Sequence, residues 1–108
     1  MAQDFRNVLN RNVGTGAATL LTAGNYDAVI GIRVCNILTN AITVDVYFVK
    51  GGNNYYIAKT LSIAPGSSIE LIQGGAKIVA ASGDVLTAVA SESNAADITT
   101  SYIDTIST

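Results

Sequence analysis

The sequence contains no histidine, no tryptophan, one cysteine and one proline. Each absence excludes something. Histidine is the side chain whose free pKa lies nearest neutrality, so a chain without it has no Ser-His-Asp triad and no ready proton shuttle. A single cysteine, Cys35, excludes a disulfide framework within one chain. It lies inside the apolar run Ile30–Leu38, where an unpaired thiol behaves as a small buried hydrophobe. Arg33 is the one nearby cation, too little to mark an activated thiolate. Charge is also scarce. Six Lys and Arg and eight Asp and Glu make 13% of the 108 residues, about half the share usual in soluble domains. A surface that carries so little charge is expected to be covered in part by another protein.

The basic residues are spread at Arg6, Arg11, Arg33, Lys50, Lys59 and Lys77. With no basic cluster there is no footprint for phosphate-dominated nucleic-acid binding. Turn residues interrupt every apolar run, so no segment has the length to span a bilayer. The opening residues lack the apolar centre of a signal peptide, and the chain is expected to be soluble where it is made. No membrane partner is expected.

What is present is Val, Ile, Ala, Thr, Ser, Gly and Asn in short runs that alternate with period two, the pattern of half-buried strands. Strands are expected over Ala18–Thr22, Tyr26–Leu38, Ile42–Lys50, Tyr55–Thr60, Ser67–Ile72, Lys77–Ala80, Val85–Ser91 and Asp97–Ile106. Ala23-Gly24-Asn25, Gly51 to Asn54, Pro65-Gly66, Gly74-Gly75 and Ser82-Gly83-Asp84 read as turns between them. About eight short strands with turns this frequent predict an all-β, antiparallel, jelly-roll-like β-sandwich over residues 17–108. Ile32, Val34, Val44 and Val46 lie on the most apolar faces of the two longest strands and are expected in the core. Gly31 inside its strand points to a bulge or a close backbone approach.

Residues 1–16 break the pattern and read as an N-terminal arm. Phe5, Val8 and Leu9 have the spacing of one helical turn, too short to stand alone. These three side chains gain nothing from water and are expected to dock on a partner, with folding back on the chain's own sandwich as the alternative. Tyr55 and Tyr56 should place one ring on each side of a strand. One is expected in the core and the other, with Tyr47 across the hairpin, is a candidate aromatic anchor.

The catalytic and metal-binding alternatives are thin. Gly14-Thr15-Gly16 and Gly74-Gly75-Ala76-Lys77 lack the spacing of a phosphate-binding loop, and a strand follows Lys77 where a helix is required. Asp45, Glu70, Asp84, Asp97 and Asp104 are scattered, with no calcium-loop spacing. No catalytic residue, metal site or cofactor is assigned.

The motifs in order are NYDAVIGIRV (Asn25 to Val34), ITVDVY (Ile42 to Tyr47), NYYIAK (Asn54 to Lys59), IAPGSSIELI (Ile63 to Ile72), GAKIV (Gly75 to Val79) and SGD (Ser82 to Asp84). This succession resembles a family of small virion structural proteins of tailed bacteriophages. Met1 through Val13 is similar to members from contractile-tailed phages of marine cyanobacteria. The resemblance implies a non-enzymatic virion component. The reading it favours is a capsid decoration or cement protein that binds the major capsid protein as a homo-oligomer; a neck, tail or baseplate component is the alternative. A carbohydrate- or receptor-binding module, stacking sugars on Tyr47, Tyr55 or Tyr56 beside Asn53 and Asn54, is the reading from another class.

Overall fold

The computed structural model describes residues 4–24, 26–72 and 77–104. The expected turn at Gly74-Gly75, Asn25, the first three residues of the arm and the last strand beyond residue 104 lie outside the described residues. The strands are β1 (Phe5–Val13), β2 (Ala18–Thr22), β3 (Asp27–Asn36), β4 (Ile42–Lys50), β5 (Asn53–Ile63), β6 (Ser68–Glu70), β7 (Ile78–Ala80), β8 (Val85–Ala90) and β9 (Ala96–Ile103). They form two antiparallel sheets. The first has the order β1-β9-β3-β6, with the short β7 also paired to β3, and the second has the order β2-β8-β4-β5. The chain crosses between the sheets at every connection except the β4–β5 hairpin and the β6–β7 step, and the last long strand returns beside the first, which is jelly-roll connectivity. The fold class is therefore the expected one.

The ninth strand is β1, formed by residues expected to precede the sandwich as an arm. It pairs with β9 from Phe5 opposite Ile103 to Val13 opposite Ala96. The helical turn suggested by Phe5, Val8 and Leu9 does not form. One isolated turn fixes several residues for a single hydrogen bond, whereas the open edge of β9 offers a backbone partner at every second residue. The strand also delivers Val13 to the core and half-buries Val8 opposite Thr100.

The turns follow from their residues. Lys50 lies opposite Asn53, and Gly51 and Gly52 between them have φ of 61° and 81°. Positive φ at both central positions is the twist-matched two-residue hairpin that Gly-Gly permits. Ala64-Pro65-Gly66-Ser67 closes with a 3.1 Å bond from the Ser67 N–H to the Ala64 carbonyl, with Pro setting the first φ and Gly66 at 68°.

The core lies between the sheets. Ile32, Val34, Val44 and Val46 are fully buried as expected, together with Leu20, Ile42, Ile63, Leu86 and Ile98. Asn36 is buried with them at the end of β3. Its amide nitrogen donates to the carbonyls of Asn40 (2.9 Å) and Ile63 (3.1 Å), and its side-chain oxygen accepts from the Leu38 N–H (2.9 Å). One side chain thus ties the end of β3 to the following turn and to β5.

Bulges alter the face assignments. In β3 the register shifts between Val29 and Gly31, leaving Ile30 as the extra residue. Val29 therefore joins Ile32 and Val34 inside, while Ile30 moves to a half-buried outer position. Period-two alternation, which would place Ile30 on the face of Ile32 and Val34, fails at this point. Gly31 marked the bulge and not a tight approach: a Cβ placed there would meet its nearest atom, on Glu70, at an ordinary 3.6 Å.

Candidate interaction surfaces

Two surfaces hold the side chains that the sequence singled out. The first is the outer side of β1. Along an antiparallel strand alternate side chains share a face, so Phe5, Asn7 and Leu9 stand together on the outside while Val8 turns inward against Thr100. Phe5 is 76% and Leu9 69% exposed, and Val8 is half-buried. Beside them runs an open groove of about 640 Å³ lined by Phe5, Arg6, Asn7, Ile30, Ser101 and Tyr102. Ile30 was not singled out from sequence, because only the bulge before Gly31 turns it toward this groove.

A polar clamp fixes the start of β1. The Asp104 N–H donates to the Asp4 carbonyl and the Asp4 N–H donates to the Asp104 carboxylate, both at 3.0 Å. The Arg6 guanidinium pairs with Asp104 and, at 3.3 Å, with Asp4. The Asp4 N–H, with the Arg6 cation, holds the Asp104 carboxyl below the usual carboxylate range. Asp104 in turn holds the guanidinium above its ordinary value. This clamp joins the two ends of the described chain, and nothing in the local sequence announces it.

The second surface lies on the outside of β4 and β5. β5 carries two irregularities, one opposite Asp45 and one at Ile57. At the first, Thr60 has φ of 54°, its N–H donates to Asp45 at 2.7 Å, and Lys59 pairs with the same carboxylate at 3.3 Å. The bond to Asp45 is the largest reason the Lys59 ammonium holds its proton above the ordinary value. At the second, the extra residue Ile57 moves Tyr56 to the outer face, away from the face of Ala58. There Tyr56 leans on Tyr47 with ring centroids 5.0 Å apart, and Lys59 Nζ stands 4.8 Å over the Tyr56 ring.

The tyrosine expectations change accordingly. Tyr47 is 9% exposed, covered on the sheet's outer face, whereas Tyr55 and Tyr56 are 56% and 47% exposed. Neither member of the Tyr-Tyr pair is in the core. Tyr55 points to the inner side opposite Phe48, but close to the exposed Gly51–Gly52 turn, where little covers it.

The remaining candidates have structural explanations. A Cβ on Gly14 would sit 3.2 Å from the Asn94 nitrogen and the Ser93 Cα, so glycine there serves close backbone packing. Asp84 accepts from the Ala81 N–H at 3.0 Å across its own turn and pairs with Lys50 at 3.2 Å. The Glu70 carboxylate accepts from the Ile32 N–H at 2.7 Å, on the side of β3 where the short β6 ends. Among the described residues, no three His, Cys, Asp or Glu side chains gather as a metal site requires.

No protein-family profile and no curated protein matches the sequence. Among solved structures, a similar one is a chain from Bacillus endospore appendages, described as a novel family of disulfide-linked pili. The two share 17% identity and superpose with a TM-score of 0.55 over 98% of this chain and 88% of that one. At this identity the likeness is one of fold.

Proposed function

We propose that this protein is a non-enzymatic virion structural protein of a tailed phage, most specifically a decoration or cement subunit seated as an oligomer on the lattice of the major capsid protein. The observation that carries the reading is β1, a long edge strand that holds Phe5 and Leu9 in water on one face. Exposed apolar side chains on an unpaired strand edge are what a protein keeps when another chain will cover them. The sparse charge supports the same reading, since a covered face does without solvating groups. So does the resemblance of the motif order to small phage virion proteins. The mechanism is mechanical: burial of apolar area and edge pairing join neighbouring subunits and stiffen the particle.

A sugar-stacking role has less to rest on, because the Tyr56 ring is flanked by Tyr47 and capped by Lys59. The test is to image intact particles at subnanometre resolution and fit the sandwich. Density on the capsid lattice is the expected result. Density at the neck, tail or baseplate would keep the structural role and move its place, and absence of the chain from purified particles would overturn the proposal.

A further inference from the structure

The four edges of the two sheets are not alike. At one edge of the first sheet β6 and β7 are only three residues long each. At one edge of the second sheet β5 is broken by two bulges and carries Lys59, both devices that discourage pairing. The other edge of that sheet, β2, is five residues long and has its own register shift. From Phe5 to Asn10 the register of β1 on β9 is unbroken, and its one charged residue there, Arg6, is paired with Asp4 and Asp104.

The backbone geometry of this stretch defines what can pair with it. Because Asp4 exchanges hydrogen bonds with Asp104, Arg6, Val8 and Asn10 also direct their N–H and C=O groups toward β9. Phe5, Asn7 and Leu9 direct theirs outward. The sequence around Asn7 is nearly palindromic in character, with an apolar residue two places to either side on the same face.

We propose that two copies of this chain join edge to edge through β1, antiparallel about a two-fold axis at Asn7, so that the first sheet runs continuously across the pair. This register places Phe5 opposite the partner's Leu9 and Leu9 opposite the partner's Phe5. It covers both exposed side chains at once and closes the outward backbone bonds of all three residues. Arg6 falls opposite the partner's Val8 and Asp4 opposite the partner's Asn10, so no like charges meet. Neighbouring registers do worse. Centring on Leu9 carries Phe5 onto the bulge around the partner's Asn12, and centring on Phe5 carries Leu9 past the described start of the partner's β1. A single two-fold contact closes, giving dimers and not filaments. This deepens the oligomeric part of the proposed function but concerns the isolated chain: a monomer that still decorates particles would sink the pairing alone, and a dimer absent from particles would sink the virion role alone.

Two measurements on the full-length chain test it. By sedimentation equilibrium the wild type should have twice the chain mass of 11.1 kDa. Phe5→Ser with Leu9→Ser, and separately Asn7→Pro, should run as folded monomers, because Phe5 and Leu9 are exposed and the Asn7 N–H points away from β9. For the register, Asn7→Cys in a Cys35→Ser background should oxidise to a covalent dimer. Facing Cα atoms of such a pair are about 5.5 Å apart, within disulfide reach. Leu9→Cys in the same background lies four residues out of register from its copy, roughly 13 Å away, and should stay unlinked. A wild type that is monomeric up to its solubility limit, a mass above the dimer, or faster linkage through residue 9 than through residue 7 would each overturn the proposal.

Discussion

Thr100 lies in β9 between β1 and β3, opposite Val8 on one side and Ile32 on the other. It has no exposed surface, and its hydroxyl has no hydrogen-bond partner among the described residues. A hydroxyl taken out of water without a partner costs about 1–3 kcal/mol. Valine has nearly the same shape and puts a methyl where that hydroxyl stands. Thr100→Val is therefore expected to stabilise the protein by about 1 kcal/mol, the lower part of that range, since the unfolded chain gives up little in exchange. For a domain of this size that gain raises the melting temperature by about 4 °C. Thr100→Ser, which keeps the hydroxyl and deletes the methyl, should instead lower it. The assay is thermal unfolding with a urea titration, at one fixed protein concentration because association stabilises the folded state. Thr100 faces inward, so the outer edge of β1 is unchanged. A lower midpoint for the valine variant at an unchanged urea slope would refute the reasoning, since it would mean the hydroxyl is bonded in the folded state.

Asn36→Ala should be among the more damaging single changes: it strands the buried Ile63 carbonyl and unties the partly buried Asn40 carbonyl and Leu38 N–H, at a cost of about 2 kcal/mol readable in the urea midpoint. Melting temperature should be nearly flat between about pH 6 and pH 8, because no histidine is present to titrate. It should fall in acid. Asp104 has its folded pKa lowered, so its contribution is present above the ordinary carboxylate pKa and is lost as pH drops through the folded value. Asp104→Asn should flatten that acid limb while leaving the neutral plateau level; an unchanged acid limb would count against the clamp.

Strand identity was legible from the sequence because alternation and turn chemistry are local. Ile42–Lys50 was readable from end to end, since β4 carries no irregularity against β8 and Gly51-Gly52 fixes its end. What failed were features set by a neighbour. Tyr56 faces outward because Ile57 is an extra residue relative to β4, and Ile30 faces the groove because it is an extra residue relative to β9. Period-two counting cannot see a bulge, though Gly31 marked one of the two. β1 was missed for a related reason. Its apolar residues at 5, 8 and 9 straddle both faces, so its pattern is not that of a half-buried strand, and only the free edge of β9 makes it one.

That straddling pattern is also what connects the fold to the proposed role. A strand that served only to close the sandwich would need one apolar face, as β4 has in Ile42, Val44 and Val46. β1 meets that need with Val8 and Val13 facing in, and then spends Phe5 and Leu9 on the opposite face, where they stay largely exposed among the described residues. The molecule can protect an edge when it must: β5 does so with two bulges, a lysine held by Asp45, and a tyrosine folded beneath that lysine. The contrast between the two edges lies within one chain of uniform composition, so low charge alone does not account for it. An edge left straight from Phe5 to Asn10, beside one elaborately closed, is where the proposed role places the next protein.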